Sequence, residues 1–203
     1  MSLLFPSGQW VHENNASLYW QPGFLSALQA DNDFAELTEN ARWQQGQIQM
    51  WGKTVREPRL SAFYGDSGVQ YQYSGRPMAA MPWFGTLIAM KPPIETLCQT
   101  QFNAAFCNLY RSGQDAMGWH SDDEAALGRQ PVIASVSLGQ TRRFLLRHKQ
   151  QKALQHEFLL GHGDLLIMAG DTQQYWQHSV AKTAKAVGPR INITFRRIVD
   201  FAP

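Results

Sequence analysis

The sequence predicts a mainly β protein of the α+β class, a jelly roll with helices and loops in front of it. Three observations carry this. From Asn103 onward, short runs of strand-forming residues recur with glycine-bearing turns between them. Their spacing leaves no room for the helical crossovers of βαβ units and suits antiparallel sheets, and a jelly roll hides the edges of such sheets most economically. Finally, 203 residues with 44% hydrophobic and 17% charged side chains suit one domain with a buried core and exclude wholesale disorder.

The elements follow in order. The first thirty residues scatter Phe5, Trp10, Tyr19 and Trp20 among turn formers and read as irregular chain packed on the domain. Residues 33–44 read as a helix: Asp33 and Glu36 make a capping box, and Phe34, Leu37 and Ala41 share a face. Residues 48–51 read as a strand closing in a turn at Gly52-Lys53. A turn-rich stretch at 64–68 leads into the alternation Val69, Tyr71, Tyr73 and a turn at Ser74-Gly75. A short helix is expected over 93–100, with proline in its first turn. Strand-like runs then cover 105–111, 132–138, 143–147, 154–160, 165–169, 175–180 and 190–199.

Composition narrows the setting. The net charge of +2 permits a nucleic-acid partner without arguing for one. Two cysteines, Cys98 and Cys107, form neither a disulfide framework nor a CxxC pair, which suits reduced thiols. No apolar stretch approaches the roughly 18 residues of a membrane span, and the amino terminus lacks a signal-peptide pattern. The expectation is a monomer that is not secreted and has no membrane partner, cytoplasmic if bacterial and nuclear if eukaryotic.

Chemistry first shows at Trp119-His120-Ser121-Asp122. In extended chain, residues two apart point to one side, so His120 and Asp122 present an imidazole and a carboxylate together. Such a pair alone arises by chance in about a quarter of chains of this composition. His178 adds to it: Trp176, His178 and Val180 share one face of a strand, and the apolar neighbours point that face inward. Two histidines and a carboxylate with open positions make the facial site of non-haem Fe(II) oxygenases. The alternative for His178 is a hydrogen-bonded core histidine. His148, in a basic run, His162, between glycines, and His156 compete less well as ligands.

The last strand alternates cleanly. Ile191, Ile193 and Phe195 form one face, and Arg190, Asn192, Thr194 and Arg196 the other. A solvated outer face is the plain reading. The two arginines, with no acid between them, instead suit a carboxylate-bearing ligand. Asn108 and Tyr110 alternate with Phe106 on a second strand of matching chemistry.

The set Asn108-Leu-Tyr110, His120-Ser-Asp122, His178 and Arg190-x5-Arg196 resembles the AlkB family of Fe(II)- and 2-oxoglutarate-dependent dioxygenases, over roughly residues 56–198. The segments at 64–66, 71–75, 120–124, 131–137 and 147–149 are similar to the branch that repairs duplex DNA. Ser121 departs from it, standing where those relatives usually carry arginine, and the basic stretch 182–185 is thinner than theirs. The resemblance implies a double-stranded β-helix core over about 103–199, a nucleotide-recognition lid over about 48–90 and an N-terminal extension with a helix over about 1–55, all in a single domain. It carries over His120, Asp122 and His178 as iron ligands, and Asn108, Tyr110, Arg190, Asn192, Thr194 and Arg196 as 2-oxoglutarate contacts. Arg196 is expected on the far carboxylate and Arg190 near the metal.

The implied reaction uses dioxygen to couple 2-oxoglutarate decarboxylation to hydroxylation of an alkyl group on a DNA base nitrogen, releasing formaldehyde and succinate. The base must leave the stack to reach the metal. Tyr71 and Tyr73 are candidate walls for it, with Ser74, Asp123 and Glu124 as polar contacts and Glu124 as the edge reader. Trp51, beside Met50, is the candidate finger that fills the gap. Arg142, Arg143, Arg147, Lys149 and Lys152 are candidate phosphate contacts. For these side chains, core packing or a solvated surface is the alternative. The partner expected is alkylated DNA, single- or double-stranded, or RNA. The alternatives are an RNA, protein or small-molecule hydroxylase on the same core, and a non-catalytic nucleic-acid-binding jelly roll.

Overall fold

The computed structural model describes residues 5–50, 53–73 and 76–199. Its first elements, Trp10–Glu13 (β1) and Ala16–Gln21 (β2), form an antiparallel hairpin rather than the irregular chain expected there. Asn14 and Asn15 make the two-residue turn at φ +46° and +64°. Asparagine tolerates this left-handed backbone, which matches the twist of the flanking strands.

The first helix (α1) spans Ala27–Asn40, earlier than the expected 33–44, and is capped by Ser26, whose Oγ accepts from the Gln29 N–H at 3.3 Å. Asp33 and Glu36 do not cap it. Asp33 is buried and accepts from Gln29 Nε2 and from Thr86 Oγ1, while Glu36 accepts from the Thr86 N–H. The two acids therefore tie α1 to the first turn of the second helix, Gly85–Cys98 (α2). That helix was expected only over 93–100. Buried Leu87, Met90 and Ile94, at helical spacing, hold it against the sheet through Pro92 and Pro93.

Between the helices lie a hairpin of Gln47–Met50 (β3) and Lys53–Arg56 (β4), the strand Leu60–Gly65 (β5), a hairpin of Gln70–Tyr73 (β6) and Arg76–Ala79 (β7), and the short Met81–Pro82 (β8). The remaining strands are Ala104–Tyr110 (β9), Met117–His120 (β10), Ile133–Gly139 (β11), Arg142–His148 (β12), Gln155–Leu160 (β13), Asp164–Ala169 (β14), Trp176–Val180 (β15) and Arg190–Arg196 (β16). A short helix, Thr172–Tyr175 (α3), precedes β15.

The larger sheet runs β1-β2-β14-β11-β16-β9-β5-β8, and a smaller one runs β10-β15-β12-β13. The segment expected as a lid therefore contains a strand of the larger sheet, β5, flanked by two hairpins. Between the sheets, Phe106, Ile133, Leu166 and Met168 pack with Phe144, Leu146, Phe158 and Leu160. On the other side of the larger sheet, Leu37, Leu87 and Ile94 of the helices cover Ala134, Val136, Ile193 and Phe195. This is the jelly roll the strand pattern predicts, with a second core under the helices. Every residue of β16 is buried. Its apolar face meets the helices, so its polar face is turned between the sheets and not to solvent. No helix among the described residues is long and apolar enough to cross a membrane.

Candidate metal and co-substrate site

β10 and β15 pair antiparallel in a register that sets His120 opposite His178. The chain after β10 is pulled back onto the same sheet: Ser121 Oγ donates to the Trp176 carbonyl at 2.8 Å, and the Asp122 N–H donates to Gln173 Oε1 at 2.9 Å. Asp122 thereby joins the two rings. One ligand atom from each of His120, Asp122 and His178 lies within 4.8 Å of the others.

The donors are in the forms a cation needs. His120 Nδ1 lies 2.9 Å from the Gly118 carbonyl, which only accepts, so Nδ1 donates there and Nε2 is the ring nitrogen left to face a cation. Burial, then the neighbouring His120, pulls the pKa of His178 down to about 3 and leaves that imidazole neutral. Burial works against the charge of Asp122, but Arg196 and the two histidines outweigh it and hold the carboxyl below its ordinary range. Two imidazole nitrogens and one carboxylate oxygen, with the cavity beside them, fit an Fe(II) ion.

That cavity is lined by the triad together with Asn108, Tyr110, Asn192, Thr194 and Arg196. Asn192 stands opposite Asn108 in the β9–β16 register, and its Nδ2 donates to Ser135 Oγ at 2.7 Å. Thr194 Oγ1 donates to the Phe106 carbonyl and accepts from Arg196 Nη2. The polar face of β16 thus lies where a small polar ligand would sit.

The geometry reverses the expected roles of the two arginines. Arg196 Nη2 is 3.6 Å from Asp122 Oδ2, which puts Arg196 at the metal end. Arg190 is six positions back along β16, 1% exposed, beside Tyr110 and bonded through Nη2 to Ser137 Oγ at 2.9 Å. Its Nε and Nη1 are buried without a hydrogen-bond acceptor among the described residues. A buried guanidinium with idle donors, away from the metal, fits the far carboxylate of a dicarboxylate.

On the substrate side, Tyr71 is buried, its ring lies against the Arg196 guanidinium, and its hydroxyl accepts from Arg196 Nη1 at 3.0 Å. Glu124 is half-buried, interacts with that hydroxyl, and keeps Oε2 buried with no hydrogen-bond partner among the described residues. Burial, then the charge of Asp122, raises its pKa. Asp123, expected as a substrate contact, instead lies on the surface and pairs with Lys149 at 3.2 Å, because alternate residues of the extended loop face opposite ways. Trp51 and Ser74, and the side chain of Tyr73, lie outside the described residues.

The basic run is mostly engaged in structure. Arg142 is buried and donates to the Ser112, Asp115 and Ala181 carbonyls, so it is not a phosphate contact. Arg143 pairs with Glu157, and Arg147 bonds Gln177 and lies over Trp119. Two groups of site residues escaped the sequence reading. Ser135 and Ser137 alternate along β11 and were open to detection by period. Gln173 lies in the one-turn helix α3 and Arg59 in the irregular chain before β5, both too short for a period to single them out; Arg59 Nε donates to Asn108 Oδ1.

A family model described as the 2OG-Fe(II) oxygenase superfamily matches residues 17–196. The chain belongs to that superfamily. The chain is 41% identical over 186 residues to alpha-ketoglutarate-dependent dioxygenase alkB homolog 3 of Bos taurus, covering 87% of this chain and 64% of the bovine protein. It is 35% identical over 181 residues to DNA oxidative demethylase ALKBH2 of Homo sapiens, covering 84% of this chain and 69% of the human protein. The solved structure of OsALKBH1 matches its fold with a TM-score of 0.66 at 18% identity, over 93% of this chain and 100% of that one. The chain is a member of the AlkB family, and the superfamily's description names the metal and co-substrate that the donors fit.

Proposed function

We propose that this oxygenase removes alkyl groups from damaged bases of nucleic acid, DNA first, with Fe(II), 2-oxoglutarate and dioxygen. One observation carries the choice of substrate class. Close to Asp122 and Arg196, the Glu124 carboxylate keeps a buried oxygen without a hydrogen-bond partner among the described residues, next to the Tyr71 hydroxyl. A carboxyl there reads an amine-bearing base edge when ionised and a ring nitrogen or carbonyl when protonated. The similarity to a protein named DNA oxidative demethylase supports DNA over other nucleic acids.

His120, Asp122 and His178 would hold the iron. With co-substrate bound, the metal would supply the oxidation, in which 2-oxoglutarate and dioxygen give succinate and CO2 and one oxygen atom passes to a methyl carbon on the base nitrogen, which then leaves as formaldehyde. The chain's own part is placement. Arg190 and Tyr110 take the far carboxylate of 2-oxoglutarate, and Asn108, Asn192 and Thr194 line its length. Arg196 offsets the Asp122 charge and is held in place by the Tyr71 hydroxyl. Glu124 orients the base.

The test is anaerobic loading with Fe(II) and 2-oxoglutarate, then mass spectrometry of methylated single- and double-stranded DNA and RNA after oxygen is admitted. Loss of the methyl mass from DNA, with matching succinate, is expected. Succinate formation that no oligonucleotide stimulates would move the substrate to another class. Glu124→Gln should change the ranking among lesions more than it changes 2-oxoglutarate turnover without substrate. An equal fall for every lesion would remove Glu124 from base reading.

A further inference from the structure

The cavity reaches one buried ion pair to which the reaction gives no role. Glu57 and Arg59 lie between β4 and β5, and each is 3% exposed. Arg59 Nη2 is 3.4 Å from Glu57 Oε1, and Arg59 Nε donates to Asn108 Oδ1 at 2.8 Å. Asn108 is one of the cavity-lining residues of β9.

The chemistry of the contact is directional. Guanidinium carries only donors, so it faces the oxygen of an amide and never its NH2. With Oδ1 held by Arg59, the Asn108 NH2 is directed to the other side of the amide, toward the space it shares with Asn192. An amide free to flip would offer a ligand oxygen a donor or an acceptor in turn, and the acceptor would repel a carboxylate. We propose that Arg59, held by Glu57, is a positioning residue for the co-substrate: it locks Asn108 with its NH2 toward the oxygen atoms of 2-oxoglutarate.

The surrounding chain supports a positioning role. The Pro58 carbonyl accepts from the Ala116 N–H at 2.9 Å, immediately before β10 and its ligand His120. The Glu57 N–H donates to the Gly46 carbonyl, and Gln45 Nε2 donates to the Glu57 carbonyl, each at 2.9 Å. Residues 57–59 are therefore anchored on both sides of the pocket wall. A buried ion pair contributes little to stability on balance and is better suited to fixing one arrangement of its neighbours.

The inference rests on the oxygenase reading, and the experiment separates the two. Binding of 2-oxoglutarate is measured by calorimetry in protein loaded with Mn(II), which holds the metal site without turnover. Arg59→Lys keeps a charge for Glu57 but loses the fork that holds the amide. The double variant Glu57→Gln/Arg59→Gln removes both charges together and guards against a fold lost to one unpaired buried charge. Each should weaken 2-oxoglutarate about tenfold, the scale of one charge-assisted hydrogen bond, with Mn(II) affinity and melting temperature near wild type. In an Asn108→Ala background, Arg59→Lys should have no further effect on binding. Wild-type affinity in both Arg59 variants overturns the inference alone, as does an undiminished effect of Arg59→Lys without Asn108. Failure of the wild type itself to bind 2-oxoglutarate overturns the inference and the oxygenase reading together.

Discussion

Residues of one type divide here by what faces them. Arg190 and Arg196 occupy the same face of the same strand, yet only Arg196 meets a carboxylate of the protein, at 3.6 Å from Asp122. Arg190→Ala should therefore weaken 2-oxoglutarate by about 2–5 kcal/mol, since it strands a desolvated carboxylate. Arg196→Ala should act mainly on metal affinity and on Tyr71. Apparent affinities for 2-oxoglutarate and for Fe(II), measured on both variants, decide it. A larger 2-oxoglutarate loss in Arg196→Ala would restore the assignment expected from sequence. Asp122→Ala should abolish metal binding and turnover in a folded protein, and metal-dependent activity surviving that change would remove Asp122 from the site.

Among elements, the join between β9 and β10 matters most, because it links the co-substrate strand to the metal strand. Asp115 holds it, accepting from the Arg111 backbone N–H at 2.9 Å and from both Nε and Nη2 of the Arg111 guanidinium. Burial opposes the Asp115 charge, but the Arg111 hydrogen bonds outweigh it and lower the pKa. A lowered folded pKa gives stability that is present above the unfolded value near 3.8 and is lost as pH falls through the folded value. Arg111 is about half exposed, so the pair is screened. Asp115→Asn should cost about 1 kcal/mol at neutral pH, and little once the pH has fallen below the lowered folded value. Thermal melts at the two pH values check this, and a difference that persists in acid would assign the cost to something other than the charge. At the same scale, the β10–β15 register and the Asn14-Asn15 turn show unequal legibility. The turn was available as a dipeptide signal, whereas the register depends on two segments more than fifty residues apart.

At the scale of the molecule, the space between the sheets is polar at the metal end and aromatic away from it. His156 lies in the aromatic part, stacked 4.9 Å from Trp176 and edge-on to Phe5, with Nε2 3.4 Å from Glu13. Burial lowers its pKa and the Glu13 charge only partly offsets this. Below pH 6.5 the unfolded chain takes up a proton that the folded protein refuses, so stability falls as pH drops from 6.5 toward the lowered folded value. His156→Phe keeps a ring on Trp176 and should make that part of the stability profile shallower. An unchanged slope between pH 5 and 6.5 in chemical denaturation would show that His156 does not refuse the proton.

The strand pattern after Asn103, the polar face of β16 and the candidate metal donors were all legible in the sequence, because these are written in period-2 alternation and in residue chemistry. The α1 and α2 boundaries were less legible, since Asp33, Glu36, Pro92 and Pro93 are local signals that packing between the helices overrides. Which way the polar face of β16 points, which arginine sits by Asp122, and that Arg59 reaches Asn108 became visible in the folded chain alone. Alternation tells that a strand has two faces but not what covers each one. That depends on helices and strands brought together from distant parts of the chain, and here it buries Arg190 beside Tyr110 and Ser137 and sets Arg196 against Asp122.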